Sequence, residues 1–198
     1  MLSVQLDVAD PQSIQSVVAE LINRHPELNM LINAAGVGFH DDSSGKIDDA
    51  MLTKTIATNF YGPIRMSTAV MEHFKSQPSA ALIHVSSALG YLPHSGLSIY
   101  SASKAALHSY ILSQRYRLRG TSVAVIEIAP PMVATAFSDN AGNPMAMPLQ
   151  AYIDETMQVM ETGALEVLVA SAQERRDRLL NHELAAMNQF NDMLMAAH

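Results

Sequence analysis

Ser87, Tyr100 and Lys104 stand at intervals that permit proton transfer, with Tyr100 thirteen positions after Ser87 and Lys104 four after Tyr100. On a helix, residues four apart share a face one turn apart, so the phenol and the ammonium become neighbours. A free tyrosine titrates at about 10, too high for acid–base work at neutrality. A neighbouring ammonium favours the phenolate and lowers that value, which makes general acid–base catalysis feasible. Ser87, at the end of the preceding strand-like run, is placed to hold a carbonyl or alcohol oxygen beside the phenol. Alone, Tyr-x-x-x-Lys is a weak signal. It recurs by chance, with the tyrosine packed in a core and the lysine solvated.

The elements that must position these residues alternate along the chain. "SVQLDV" (3–8) reads as a strand, and "DPQSIQSVVAELINRH" after it reads as a helix. Asp10 is its N-cap and Pro11 its first helical residue, with Ile14, Val17, Val18 and Leu21 on the apolar face. "NMLINAAG" (29–36) is a short buried strand running into a glycine turn, and 47–76 carries a long helical pattern with a bend expected near Gly62-Pro63. "AALIHVSS" (80–87) is a strand and 98–118 a helix, closed by Gly120. "SVAVIEIAP" (122–130) is a strand ended by Pro130-Pro131, followed by the loop "SDNAGNPMAMP". The helix "LQAYIDETMQVMETG", the short strand "LEVLVA" and a helical tail over 172–198 complete the chain. Alternating strands and helices, with strands apolar on both faces, predict an α/β fold. A parallel sheet covered by helices on both sides would form a Rossmann-like three-layer sandwich, in one domain spanning 1–198. In such sheets ligands bind beyond the carboxyl ends of the strands.

Composition narrows the function. Hydrophobic residues make up 48% and charged residues 16%, a globular balance. A net charge of -7 argues against nucleic acid and anionic membranes as partners. Cysteine is absent, which excludes disulfides, thiolate metal sites and thiol catalysis and fits a cytoplasmic protein. No apolar run is long enough to span a membrane, and the first residues lack the pattern of a signal peptide. No metal site is predicted: "HELAA" (182–186) has alanine where a zinc-protease motif needs its second histidine. His84, His94 and His108 have no carboxylate paired with them in sequence and read as satisfied or surface histidines, with His94 a candidate for a substrate mouth.

Four separated segments together resemble the short-chain dehydrogenase/reductase family, in order and spacing, across residues 1 to about 170. "NAAG" (Asn33, Ala34, Ala35, Gly36) is similar to that family's turn beside the cofactor's adenosine ribose. "TNFYG" places Asn59 at its catalytic asparagine, and "HVSS" with "YSASK" supplies the serine, tyrosine and lysine. "APPMVAT" (129–135) resembles the segment flanking the nicotinamide. The resemblance implies an NAD(P)-dependent oxidoreductase acting on an alcohol or carbonyl substrate, with NAD or NADP as cofactor. Tyr100 would exchange the proton, Lys104 lower its pKa and bond the nicotinamide ribose, Ser87 orient the substrate oxygen, and Asn59 hold a relay water. Asp7, with Val8 beside it, would meet the adenine ring; Pro130, Val133 and Thr135 would border the nicotinamide. Met145 and Met147 would lie in a substrate lid, and pairing through the Tyr100 helix would give a homodimer or homotetramer.

The same comparison exposes a gap. The family's Thr-Gly-x-x-x-Gly-x-Gly turn, which admits the pyrophosphate to a helix N-terminus, has no counterpart here. The family's first two strands are likewise unmatched, so the chain is expected to be N-terminally truncated, with the strand at 3–8 either moved over to pair with the one at 29–36 or left unpaired. Pro131 replaces the family's usual glycine and removes an N–H donor. The rival expectation is a family-like scaffold that binds ligands or partners without turnover.

Overall fold

A computed structural model describes residues 3–137 and 142–177. Pro11–Arg24 forms α1, with the Asp10 carboxylate accepting from the Gln12 N–H as its N-cap and Pro11 at the position where a missing N–H costs nothing. β1 is Met30–Asn33, α2 is Asp49–Ile56 and α3 is Gly62–Ser76, with Ala57–Tyr61 wound between the two helices as a π turn. β2 (Ala80–Val85) leads through short 3-10 turns at Ala88–Gly90 and Ser95–Leu97 into α4 (Ser98–Leu118). β3 (Val123–Ile128), α5 (Leu149–Glu161), β4 (Glu166–Val167) and α6 (Ala170–Asp177) follow. The tail beyond 177, and the middle of the loop at 138–141, lie outside the described residues.

The four strands pair in parallel, in the order β1-β2-β3-β4, as a Rossmann-like α/β sheet. Leu31, Leu82 and Val125 are register partners and point to one face, where α1, α3 and α4 bring Ile14, Val18, Val70, Phe74, Leu107 and Ile111. On the opposite face the edge strand β1 is the least covered. Met30 and Ile32 on β1 are 52% and 55% exposed, because no described helix lies over them.

The N-terminal strand is a correction. Residues 3–7 form no regular element, Val8 lies in a turn, and none of them pairs with a strand. Leu6 and Val8 instead pack against the helical core, and Arg65 on α3 donates to the Ala9 carbonyl at 3.0 Å. Two apolar side chains and one arginine hold this segment, and strand-like alternation does not by itself supply a neighbouring strand.

A π turn stands where the sequence led to a bend near Gly62-Pro63. Pro63 has no N–H to give the carbonyl of Asn59, four residues back, and its ring crowds that carbonyl. The helix answers with a wider turn, in which the Gly62 N–H reaches back to Ala57 O. A π turn of this kind adds a residue to one helical turn and rotates its side chains. Asn59 sits in its middle.

Candidate active site

The carboxyl ends of β1 and β2 meet the π turn and the first turns of α4. Asn59 is fully buried there and ties two elements together. Its Oδ1 accepts from the Val37 N–H at 2.9 Å, while Nδ2 donates to Val37 O at 2.8 Å and to Ser103 Oγ at 3.1 Å. The loop after β1 is thereby fixed against α4. Ser87 ends the extended run of β2 and caps the next 3-10 turn, its Oγ accepting from the Leu89 N–H at 3.1 Å. It is also hydrogen-bonded to the Tyr100 side chain.

Lys104 lies one helical turn beyond Tyr100, its Nζ 5.7 Å from the centre of the tyrosine ring. The ammonium donates to Val85 O at 2.8 Å and is 4% exposed. Burial pushes its pKa down to about 8, with the Glu127 carboxylate opposing that shift. Tyr100 is 8% exposed, and burial pushes its phenol above the usual range while the Ser87 hydrogen bond pulls the other way. The phenol is therefore harder to ionise than a free tyrosine, where the sequence led to the opposite expectation. Loss of water outweighs the Ser87 hydrogen bond, and the Lys104 ammonium donates to a main-chain carbonyl.

The remaining expected residues are placed unevenly. Gly36 borders the centre: a Cβ there would lie 3.5 Å from Asn59 Oδ1 and 3.7 Å from Lys104 Nζ. Ala34 and Ala35 are exposed beside it. Asn33 turns inward, its Nδ2 3.3 Å from His84 Nδ1. Asp7 stays local, accepting from the Ala9 N–H at 2.8 Å, and Val8 packs on the core. Pro130 O accepts from the Ala88 N–H at 2.9 Å, on the Ser87 side. Val133 pairs with Met147 as a lone bridge, and Thr135 Oγ1 accepts from the Phe137 N–H at 3.3 Å. Of the two methionines, Met147 thus pins the 132–134 segment, whereas Met145 is exposed. His94 caps its own turn by accepting from the Gly96 N–H.

Several contributors carried no sequence signal. Phe137 leans its ring against Tyr100 at 5.7 Å between centres. His108 bonds the Glu127 carboxylate at 2.8 Å, a pairing hidden in sequence because the two lie on different elements. Gly90 lets its turn touch the backbone of α4: a Cβ there would come within 3.0 Å of the carbonyl carbon and oxygen of Lys104. Gly90→Ala is expected to destabilise by about 1–3 kcal/mol, as overpacking does. Denaturant titration checks it, and an unchanged midpoint would contradict the close approach.

No helix among the described residues is long and apolar enough to cross a membrane. A family model described as short chain dehydrogenase matches residues 1–146. The chain is 37% identical over 138 residues to "Uncharacterized oxidoreductase DltE" of Bacillus subtilis (strain 168), covering 69% of this chain and 55% of that protein. It is 32% identical over 140 residues to "NADP-dependent 3-hydroxy acid dehydrogenase" of Schizosaccharomyces pombe, covering 70% and 53%. Among solved structures, a short chain dehydrogenase from Burkholderia cenocepacia J2315 in complex with NADP superposes with a TM-score of 0.76 at 27% identity, over 86% of this chain and 70% of that one. The chain spans about half the length of the curated relatives it matches.

Proposed function

The chain belongs to the short-chain dehydrogenase family, and from that premise we propose that it carries the proton-transfer half of an NAD(P)-dependent oxidoreductase site for an alcohol or carbonyl substrate. The observation that supports this best is the meeting of Asn59, Ser87, Tyr100 and Lys104 at the carboxyl ends of two neighbouring parallel strands.

The residues present fit the nicotinamide end of such a cofactor. Gly36 has no side chain to fill the space beside Asn59 and Lys104. An ammonium has three donors, and the one bond of Lys104 to Val85 O leaves two for a ribose. Pro130, Val133 and Thr135 would border the nicotinamide, as the family resemblance implies. When bound, a nicotinamide supplies or accepts the hydride.

The chain's own groups handle the proton. In reduction, Tyr100 Oη gives its proton to the carbonyl oxygen as that oxygen gains negative charge; in oxidation it takes the proton from the alcohol. Ser87 Oγ holds the same oxygen by a hydrogen bond, which fixes its distance from the phenol. Lys104 keeps a positive charge one turn away, stabilising the phenolate that each reduction leaves. Asn59 holds the loop after β1 against α4, so Gly36 and Lys104 stay apart by a constant gap.

Binding of NADH and NADPH, followed by cofactor fluorescence, tests the reading on the chain itself and on a form extended by a family-like strand, glycine turn and helix. The extended form is expected to bind and to oxidise the reduced cofactor when carbonyl compounds are added. No binding by that form would overturn the oxidoreductase reading. Tight binding by the 198-residue chain would show instead that the glycine turn is dispensable.

A further inference from the structure

Each strand contributes one polar residue at the same level of the sheet. Asn33, His84, Glu127 and Glu166 are successive register partners across β1, β2, β3 and β4. Partners in register point to one face, and here it is the face against α4. Across it run hydrogen bonds from His84 Nε2 to Gln114 at 3.0 Å and from His108 Nδ1 to Glu127 Oε2 at 2.8 Å. At the end of the row Glu166 Oε1 accepts from the Tyr91 hydroxyl at 2.8 Å and from Arg176 Nε at 3.2 Å. Glu127 is 0% exposed, and its second oxygen, Oε1, is buried without a hydrogen-bond partner. A buried carboxylate is costly unless cations compensate it.

From this placement we infer that Glu127, held by His108, is the buried counter-ion of Lys104 and a positioning residue that keeps the ammonium charged. Lys104 and His108 sit one turn apart on the face of α4 that covers the row. The Lys104 ammonium donates to the carbonyl of Val85, the residue after His84 on β2, one register position from the His84–Glu127 pair. The titratable and charged groups facing Glu127 are His84 from β2, Tyr91 from the 3-10 turn, Lys104, His108 and Arg115 from α4, Glu166 from β4 and Arg176 from α6. Arg115 is bonded to the carbonyls of Val125 and Leu165, and Arg176 to Glu166. Glu127 opposes the depression that burial imposes on Lys104.

Ligand atoms of His108, Glu127 and Glu166 lie within 4.8 Å of one another, a spacing that also suits a metal ion. The protein's own side chains already bond both carboxylates: Arg176 donates to Glu166 at 3.2 Å, and His108 bonds Glu127 at 2.8 Å.

The inference rests on the role given to Lys104 above, yet its test needs no turnover. Lysine occurs at positions 46, 54, 75 and 104, so 13C-labelled lysine followed by NMR gives few signals. Loss of one in Lys104→Met identifies Lys104. Glu127→Gln is expected to lower the Lys104 titration midpoint by about one pH unit or more, leaving the other three in place. An unchanged midpoint would overturn the proposal, even with a lowered melting temperature. Should Glu127→Gln fail to fold, the double variant Lys104→Met/Glu127→Gln decides. Recovery of the folded circular dichroism spectrum supports a counter-ion pair, and no recovery overturns it. If the titration behaves as expected while the extended form binds no nicotinamide, the oxidoreductase reading fails and the coupling of Lys104 to Glu127 stands.

Discussion

Tyr100→Phe is expected to leave the fold intact and to lower carbonyl reduction about 100-fold to 10,000-fold, the range that positioned proton transfer supplies. The change removes one oxygen. Phenylalanine keeps the ring that packs, almost wholly buried, against Phe137. It loses the proton donor and the bond to Ser87. The pH dependence follows from the raised phenol. Because burial holds the Tyr100 pKa above that of a free tyrosine, the group stays protonated through neutrality. Reduction, which needs the proton, should therefore be flat with respect to this group near neutrality and fall as pH climbs through its pKa. Oxidation of the alcohol needs the phenolate and should rise over that same alkaline range. Initial rates of both directions, in the form of the chain that binds cofactor, measure this. A loss under tenfold would remove Tyr100 from the proton-transfer role.

Phe74→Ala should cost about 3–5 kcal/mol, as full truncation of a buried aromatic does. Phe74 is 0% exposed and belongs to the cluster where α1, α3 and α4 meet the sheet, with Ile14, Val70, Leu82 and Ile111. Closely packed neighbours from several elements cannot all relax into the space, so a cavity remains. Total stabilities of single domains are only about 5–15 kcal/mol, so this one change removes a large share. Phe74 lies on α3, which the π turn carrying Asn59 directly precedes, so a loosened α3 is expected to reach the site. Urea unfolding followed by circular dichroism would show the shift; a cost under about 1 kcal/mol would mean the core is packed differently.

Much of the architecture is local and therefore legible in the chain. The α4 boundaries at 98 and 118 follow from its composition, and α1 begins at Pro11 because Asp10 and Pro11 satisfy the two needs of a helix start. Parallel strands announce themselves as apolar runs between helices, which sets the fold class. The strand expected at 3–8 failed for a related reason. Alternation describes a face, whereas a strand also needs to pair with an edge, and this segment packs on the helical core and leaves the outer edge of β1 unpaired among the described residues.

The candidate site divides the same way. The i to i+4 interval makes Tyr100 and Lys104 neighbours by local geometry, and it was the family resemblance of the surrounding segments that singled them out with Ser87. The electrostatics could not be read so. Whether a lysine lowers a tyrosine pKa depends on where its ammonium points and how much water remains, and both are properties of the packed molecule. Nor could the polar row be seen: Asn33, His84, Glu127 and Glu166 come from four strands, and register alone makes them neighbours. Sequence by itself determined most of the elements and the parallel sheet, since these depend on short-range periodicity and residue type, and its family-like segments named the residues proposed for proton transfer. Tertiary structure alone decided the burial of Lys104, the pairing of His108 with Glu127 and the wide turn at Asn59, since each depends on contacts or backbone hydrogen bonds that form only when the chain is folded.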